Sequence, residues 1–288
     1  MRWGGHRESI NVEDRRGLGP VGTGTGIGLG SIVLVLVVSF LTGTNPLVLL
    51  NMVDSVQDVT SPPGAELPAP AGAPSDELGR FASVVLADTE DTWQAILPKM
   101  GRRYEEPRLV LFTGAVRSGC GLGSSAVGPF YCPMDQKVYL DLSFFQELAR
   151  RLGAPGDFAQ AYVIAHEIGH HVQNLLGIAE KVTRLQQQTS TSQANALSVR
   201  MELQADCLAG VWGHHAGRER NLIESGDFEE GLRAASAIGD DRLQHMSQGY
   251  VAPESWTHGS SEQRVTWLRR GLQSGDPAAC DTFSGSRL

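Results

Sequence analysis

Ala161-Tyr162-Val163-Ile164-Ala165-His166-Glu167-Ile168-Gly169-His170-His171 is an apolar run that leads directly into a His-Glu-x-x-His motif. Apolar residues continue at helical spacing before and after it, which predicts a largely buried helix. On that helix His166 and His170 lie one turn apart on the same face, so both can direct a ring nitrogen at one metal ion. Glu167 lies beside this face, where it can take a proton from a water molecule without being a ligand. The stretch therefore predicts the zinc-binding helix of a hydrolase.

The motif also has a simpler interpretation, because a pattern with three fixed positions occurs by chance in many proteins. In those proteins the histidines only cap a helix or form hydrogen bonds. The buried setting favours the metal, since an unpaired buried polar group costs about 1–3 kcal/mol. Two histidines and a glutamate inside an apolar helix need a partner.

A third ligand is expected from elsewhere in the fold, because a catalytic zinc ion normally has three protein ligands and one position for water. Glu202 and Asp206 are four residues apart on a second predicted helix with apolar neighbours. We predict that Glu202 binds the metal and that Asp206 accepts the free N–H of a ligand histidine, which fixes its tautomer. The alternative for this pair is a solvated acidic face.

Three other histidines are poor ligands for the same ion. His171 points about 100° around the helix from His170. His214 and His215 lie towards the end of the Glu202 helix, where histidines interact favourably with the helix dipole. The prediction is thus one catalytic zinc ion, held by His166, His170 and Glu202.

Residues 27-50 form the predicted membrane anchor. Ile27–Leu41 are uncharged and mostly Ile, Val and Leu, and the apolar run resumes at Leu47. A transmembrane helix needs about 20 such residues, which the segment reaches with its flanks. A cleaved signal peptide is the alternative, but the run begins far from the N-terminus and no small-x-small site follows it directly.

The charges on either side of this segment predict its orientation. Arginines precede it, whereas acidic residues follow it with no Lys or Arg before Arg80. The positive-inside rule then places residues 1-26, a solvated N-terminal segment, in the cytoplasm, and residues 80-288, the catalytic domain, outside. Residues 51-79 are rich in Pro, Ala and Gly and are expected to form a semi-extended linker.

The domain after the linker has the pattern of an α+β fold, a small antiparallel-containing sheet followed by helices. Pro133–Gln136 has the turn chemistry of a hairpin between two of the strands. The predicted strands are Arg108–Phe112, Val127–Cys132 and Lys137–Leu142. The predicted helices are Phe81–Ile96, Ser143–Leu152, Asp157–Leu176, Leu197–His215, Phe228–Ala237 and Ser261–Gln273.

All four cysteines follow the predicted membrane segment, and an even number in an exported domain suggests disulfides. We favour Cys120 with Cys132 and Cys207 with Cys280. Buried free thiols that act as small apolar side chains are the alternative.

Composition argues against nucleic acid as a partner, because the net charge is −8 and no dense Lys/Arg cluster offsets it. Alternating glycines in residues 22-30 look like a dinucleotide-binding loop, but no strand precedes them and no βαβ unit follows. The predicted partners are a peptide or protein substrate and a lipid bilayer.

The metal motif with Glu202 and Asp206 resembles the gluzincin arrangement of zinc ligands. More closely, the chain is similar to the bacterial neutral zinc metallopeptidases, which have an Arg-rich N-terminus, one membrane span and an exported catalytic domain. The similarity covers most of the chain apart from the linker. It lies in Met1–Trp3, Asn11–Gly17, Val127–Pro133, Lys137–Leu142, Asp157–Gly177 and Thr257–Ser261. The resemblance implies a zincin-like domain and peptidase chemistry without indicating a substrate.

The resemblance also draws attention to His258 and Arg264. Gluzincins use a histidine or tyrosine outside the ligand set to stabilise the oxyanion, and His258 is the candidate here. A histidine that only hydrogen-bonds within its loop is the alternative. Arg264 would hold a peptide carbonyl or carboxylate, although a surface salt bridge is the interpretation we favour.

The resulting hypothesis is zinc-dependent hydrolysis of peptide bonds, with Glu167 as general base for a water whose pKa the metal lowers. The hairpin Val127–Leu142 would offer an exposed edge to an extended peptide. The alternatives are a catalytically idle, membrane-tethered zinc scaffold and a zinc amidase acting on cell-wall peptides. Glu167 argues against the scaffold, because a structural zinc site needs no general base.

Overall fold

The structure is a computed structural model that describes residues 1–18 and 73–284. Met1–Gly17 and Ala71–Leu288 form one compact unit, and Leu18–Pro70 form a second. Except for Leu18, the second unit lies outside the described residues.

Six strands in the described ranges form two sheets. They are β1 (Val12–Asp14), β2 (Arg108–Phe112), β3 (Ala115–Ser118), β4 (Gly121–Ser124), β5 (Phe130–Cys132) and β6 (Lys137–Asp141). The first sheet has the order β1-β2-β6-β5, in which β2 runs parallel to both neighbours and β5 runs antiparallel to β6. β3 and β4 form a separate antiparallel hairpin.

Eight α-helices cover most of the remaining described chain. They are α1 (Glu77–Ile96), α2 (Ser143–Arg150), α3 (Asp157–Leu175), α4 (Ile178–Gln186), α5 (Thr191–Arg218), α6 (Asp227–Ala237), α7 (Asp240–Gln248) and α8 (Ser261–Ser274). Helix α3 contacts α1, α5, α6 and β5, and α8 packs along α5. Gly271 allows that close packing, since a Cβ there would lie 1.9 Å from the carbonyl oxygen of Cys207.

The predicted α+β class is confirmed: the described chain is mostly helical with a small sheet. β2, β5, β6 and all six predicted helices are present, with ends that differ by a few residues and a longer α5. The parallel strand β1, the β3–β4 hairpin and the short polar helices α4 and α7 were missed. The strands have only three or four residues and the two helices are polar and nine residues long. Neither kind of element is long enough for its hydrophobic periodicity to be recognised.

The prediction of a separate, solvated N-terminal segment is wrong for Met1–Gly17. β1 is an integral strand of the sheet, and Glu13, 4% exposed, accepts a hydrogen bond from Lys137 Nζ at 2.9 Å. Ser9 and Asn11 both donate to the buried carboxylate of Glu90 in α1. These charges look solvated in the sequence because their partners are many residues away.

This packing also constrains the predicted membrane topology. Hydrogen-bonded strands of one sheet lie on the same side of a bilayer. A cytoplasmic N-terminus and an extracytoplasmic position for residues 80-288 therefore cannot both hold.

The predicted anchor, residues 27-50, lies outside the described residues, as does most of the predicted linker. Within the described ranges, none of the helices combines the length and the hydropathy that crossing a bilayer requires. The linker ends earlier than predicted, because Asp76 caps α1 by accepting a hydrogen bond from Gly79 N at 3.0 Å and the helix begins at Glu77.

Both predicted disulfides are confirmed. Cys120 is linked to Cys132 and Cys207 to Cys280. The first holds the β3–β4 turn to β5, and the second holds the C-terminal turn to α5.

Candidate metal centre

Helices α3 and α5 cross closely at Gly169, and this crossing creates the site. A Cβ at Gly169 would lie 2.9 Å from the carbonyl oxygen of Ala205. Because no side chain separates the helices there, Glu202 on α5 reaches the face of α3 that carries His166 and His170. The three predicted ligands come together, with their ligand atoms all within 4.8 Å of one another.

The spacing of these atoms suits a zinc ion. Glu202 Oε2 lies 3.1 Å from His166 Nε2, and Glu202 Oε1 lies 3.4 Å from His170 Nε2. Ligand atoms at about 2.0–2.1 Å from a tetrahedral zinc ion are about 3.3–3.4 Å apart. Two imidazole nitrogens and a carboxylate oxygen are also ligand types that zinc accepts, so the residues present fit this metal.

The electrostatics of the site favour a cation. Burial opposes protonation of His166, yet the carboxylates of Asp206 and Glu202 outweigh burial and raise the pKa of His166 to about 10. Burial likewise opposes ionisation of Glu202, but His170 and His166 hold the pKa of that carboxyl well below its usual range. The negative charge that binds a proton here in the metal-free protein would bind a divalent ion in its place.

Asp206 lies where the sequence predicted it, behind His166. Its Oδ1 is 2.9 Å from His166 Nδ1, and the hydroxyl of Tyr162 donates to the same oxygen. Arg264 donates to both oxygens of Asp206 and is 2% exposed. The prediction of a surface salt bridge for Arg264 is therefore wrong, because a buried carboxylate 58 residues earlier draws the guanidinium into the core.

His170 has a different support that the sequence analysis missed. Its Nδ1 lies 2.9 Å from Gln173 Oε1, and Gln173 Nε2 donates to the carbonyl oxygen of Met201 and to Gln204 Oε1 at 2.7 and 3.0 Å. Gln204 Nε2 in turn donates to the carbonyl oxygen of Cys280. The i, i+3 spacing of His170 and Gln173 was the available signal.

Glu167 is 8% exposed and lies next to His166 on α3. In the part of the chain that the structure describes, its carboxylate accepts no hydrogen bond. Its oxygens are therefore free to accept a hydrogen bond from a water molecule.

His258, the second predicted catalytic residue, lies in the loop before α8, and Asp240 organises that loop. Asp240 Oδ2 accepts hydrogen bonds from the backbone N–H groups of Thr257, His258 and Gly259 at 2.9, 2.7 and 3.0 Å. Its Oδ1 lies 3.2 Å from His258 Nδ1, and this hydrogen bond raises the pKa of His258.

The loop that carries His258 packs against the helix that carries Glu202. A Cβ at Gly259 would lie 3.2 Å from Val199 Cγ1, and Val199 precedes Glu202 by three residues on α5. The side chain of His258 is about half exposed. Asp240 begins a helix that the sequence did not predict, which is why its role was missed.

His171, His214 and His215, the three histidines that the sequence analysis left out of the ligand set, each have hydrogen-bond partners of their own. His171 Nδ1 lies 3.0 Å from the hydroxyl of Tyr131 and its Nε2 lies 2.6 Å from the carbonyl oxygen of Glu105. Burial lowers its pKa to about 4. His214 and His215 form hydrogen bonds with the carbonyl oxygens of Leu272 and Gly275, respectively.

A second acidic group, Asp157 with Asp227 and Glu230, also brings ligand atoms close together. The α-amino group of Met1 lies 2.8 Å from Asp157 and 3.4 Å from Asp227, and its positive charge compensates these carboxylates. This group holds the N-terminal segment to α3 and α6.

Comparison with known proteins gives a family match over almost the whole chain. The family model described as "Putative neutral zinc metallopeptidase" matches residues 1–283. "Uncharacterized protein YpfJ" of Escherichia coli K12 is 52% identical over 292 residues, covering 99% of this chain and 100% of the relative. "Uncharacterized protein Rv2575" of Mycobacterium tuberculosis and "Uncharacterized protein Mb2605" of Mycobacterium bovis are each 42% identical over 228 residues, 75% of either chain. No solved structure matches the chain significantly.

Proposed function

This chain belongs to the neutral zinc metallopeptidase family, and from that membership we propose that it hydrolyses peptide bonds by the chemistry of its His-Glu-x-x-His helix. The observation that carries the proposal is the convergence of His166, His170 and Glu202 next to Glu167, whose carboxylate accepts no hydrogen bond from residues 1–18 or 73–284. A structural zinc site would need no such group.

We assign the catalytic roles as follows. His166, His170 and Glu202 would hold one zinc ion, which lowers the pKa of water and polarises a carbonyl when bound. Glu167 takes the proton of the attacking water and passes it to the leaving amine. His258, held by Asp240, donates a hydrogen bond to the developing oxyanion.

The substrate would bind along β5. This strand is the edge of the four-stranded sheet and contacts α3, and its outer backbone groups have no neighbouring strand within the described sheet. An extended peptide can add there through main-chain hydrogen bonds. The disulfide from Cys132 to Cys120 keeps this edge in place.

We place the enzyme at the cell membrane with its catalytic domain outside the cytoplasm. Two disulfides support this position, since they persist in oxidising compartments. The uncharged, apolar segment within residues 27-50 is the proposed attachment to the bilayer.

Glu167→Gln in the full-length protein tests the general base. We expect peptide hydrolysis to fall about 10²–10⁴-fold while bound zinc is retained, because only proton transfer is lost. Glu180→Gln, an exposed position on α4, is the matched control and should leave hydrolysis unchanged. Activity that survives a chelator, or full activity in Glu167→Gln, would refute the mechanism. Cleavage of cell-wall peptides alone would favour the amidase alternative.

Glu202→Ala tests the third ligand. We expect the variant to lose its equivalent of zinc, because two imidazoles alone hold the ion weakly. Elemental analysis of the purified protein measures the stoichiometry. A full equivalent of zinc in Glu202→Ala would show that another residue completes the site.

A further inference from the structure

Arg264 is a charged side chain inside the helical core, and its partner is a buried acid. From the first turn of α8 its Nε lies 2.9 Å from Asp206 Oδ2, and its Nη2 lies 2.9 Å from Oδ1. The side chains of Arg264 and Asp206 are 3% and 0% exposed. A buried carboxylate costs several kcal/mol unless a paired charge and hydrogen bonds compensate, and Arg264 supplies both.

The guanidinium also fixes the orientation of the carboxylate. Rotation about the last torsion of an aspartate is soft, so Asp206 alone would not keep Oδ1 directed at His166 Nδ1. A bidentate arginine fork removes that freedom. Arg264 Nη2 further donates to the hydroxyl of Tyr162 at 3.1 Å, and this hydroxyl donates to Oδ1.

We infer that Arg264 is a positioning residue for the ligand His166 and acts on it through Asp206. The inference rests on the proposed zinc site. Arg264 on α8 fixes a carboxylate on α5, and that carboxylate fixes a ring on α3 whose Nε2 faces Glu202. Arg264 is itself held, since its Nη1 lies 3.4 Å from the carbonyl oxygen of Ile238 after α6.

Zinc titration of full-length Arg264→Lys against a competing chelator tests this role. Lysine keeps the charge but loses the fork, so we expect zinc affinity to fall roughly 10–100-fold, the range for loss of a partner behind a metal ligand. Arg269→Lys is the matched control, because Arg269 is exposed on the same helix. Its zinc affinity should equal that of the wild type.

A double-mutant cycle with Asp206→Asn separates positioning from general loss of structure. If Arg264 acts through Asp206, Arg264→Lys causes no further loss of zinc affinity in the Asp206→Asn protein. The absorption spectrum of bound Co²⁺ should change in the same way in both single variants. Tyr162→Phe, which keeps both buried charges, should weaken zinc binding in the same direction and be coupled to Asp206→Asn.

Unchanged zinc affinity in Arg264→Lys, or losses that add in the double variant, would overturn the inference. If Arg264→Lys alone does not fold, the double variant Arg264→Lys/Asp206→Asn is compared with Asp206→Asn. Equal zinc affinities support the inference, and a lower affinity of the double variant overturns it. Wild-type protein that binds zinc and shows this coupling but hydrolyses no peptide would contradict the proposed function alone. A wild type without zinc affinity would overturn both.

Discussion

His166 and His170 are equivalent in the motif but not in the structure. Nδ1 of His166 forms a hydrogen bond with the charged carboxylate of Asp206, whereas Nδ1 of His170 forms one with the neutral amide of Gln173. A hydrogen bond to an ionised acceptor is about twice as strong as one to a neutral acceptor. Asp206 therefore orients His166 more firmly than Gln173 orients His170.

At the same scale, Asp240 controls the charge of His258. Its hydrogen bond raises the pKa of His258, and the histidine in turn holds the pKa of Asp240 below its usual value against the opposing effect of burial. Asp240→Asn should therefore lower the pKa of His258 towards about 6.5. NMR titration of the ring measures this, and Asp241→Asn is the neighbouring control. An unchanged pKa of His258 in Asp240→Asn would contradict the pairing.

The raised pKa of His258 decides how the Asp240–His258 pair contributes to the free energy of unfolding as the pH changes. The contribution of the pair is fully present below about pH 6.5, the unfolded value, and is lost as the pH rises through the folded pKa of His258. The lowered pKa of Asp240 sets the other limit, because the contribution also disappears as the pH falls through that value. Chemical denaturation over this range should show the stability difference between wild type and Asp240→Asn narrow at high pH. The part that remains belongs to the backbone hydrogen bonds of Asp240, which do not depend on the charge of His258.

Among the elements, the crossing of α3 and α5 at Gly169 controls the metal centre. Gly169→Ala would gain up to about 1 kcal/mol of helix propensity but would push a methyl group against the backbone of Ala205. Overpacking costs about 1–3 kcal/mol, so the clash should win and lower the free energy of unfolding.

The same change should weaken zinc binding, because it moves Glu202 away from the two histidines. Denaturant unfolding and zinc titration measure both effects. Gly17→Ala, where a Cβ would have open space, is the control. A Gly169→Ala protein with unaltered zinc affinity would mean that the separation of the helices does not set the ligand geometry.

For the whole molecule, the pairing of β1 with β2 requires the N-terminal segment and the catalytic domain to share one side of any membrane. Ile10 and Met134 are 92% and 78% exposed, one in each part. All four native cysteines are in disulfides, so Ile10→Cys or Met134→Cys would supply a single thiol. In intact cells both variants should react equally with a membrane-impermeant maleimide. Labelling of Met134→Cys alone would contradict the shared sheet.

The sequence by itself determined the parts of this protein that local chemistry specifies. The spacing of His166, Glu167 and His170 places them on adjacent faces of one helix in any fold, and the hairpin with β5 and β6 follows from alternation and turn residues. The pair Glu202 and Asp206 could be recognised because helical spacing and apolar neighbours are also local signals.

Only the tertiary structure decided which partners those residues contact. Arg264, Gln173 and Asp240 are polar residues on helices or at helix ends, and nothing in their immediate sequence distinguishes a buried partner from a solvated one. Met1–Gly17 likewise became part of the domain because its charges pair with groups 83 to 226 residues away. The physical reason is that a charge enters a protein interior only opposite a compensating group, and the fold alone brings that group into reach.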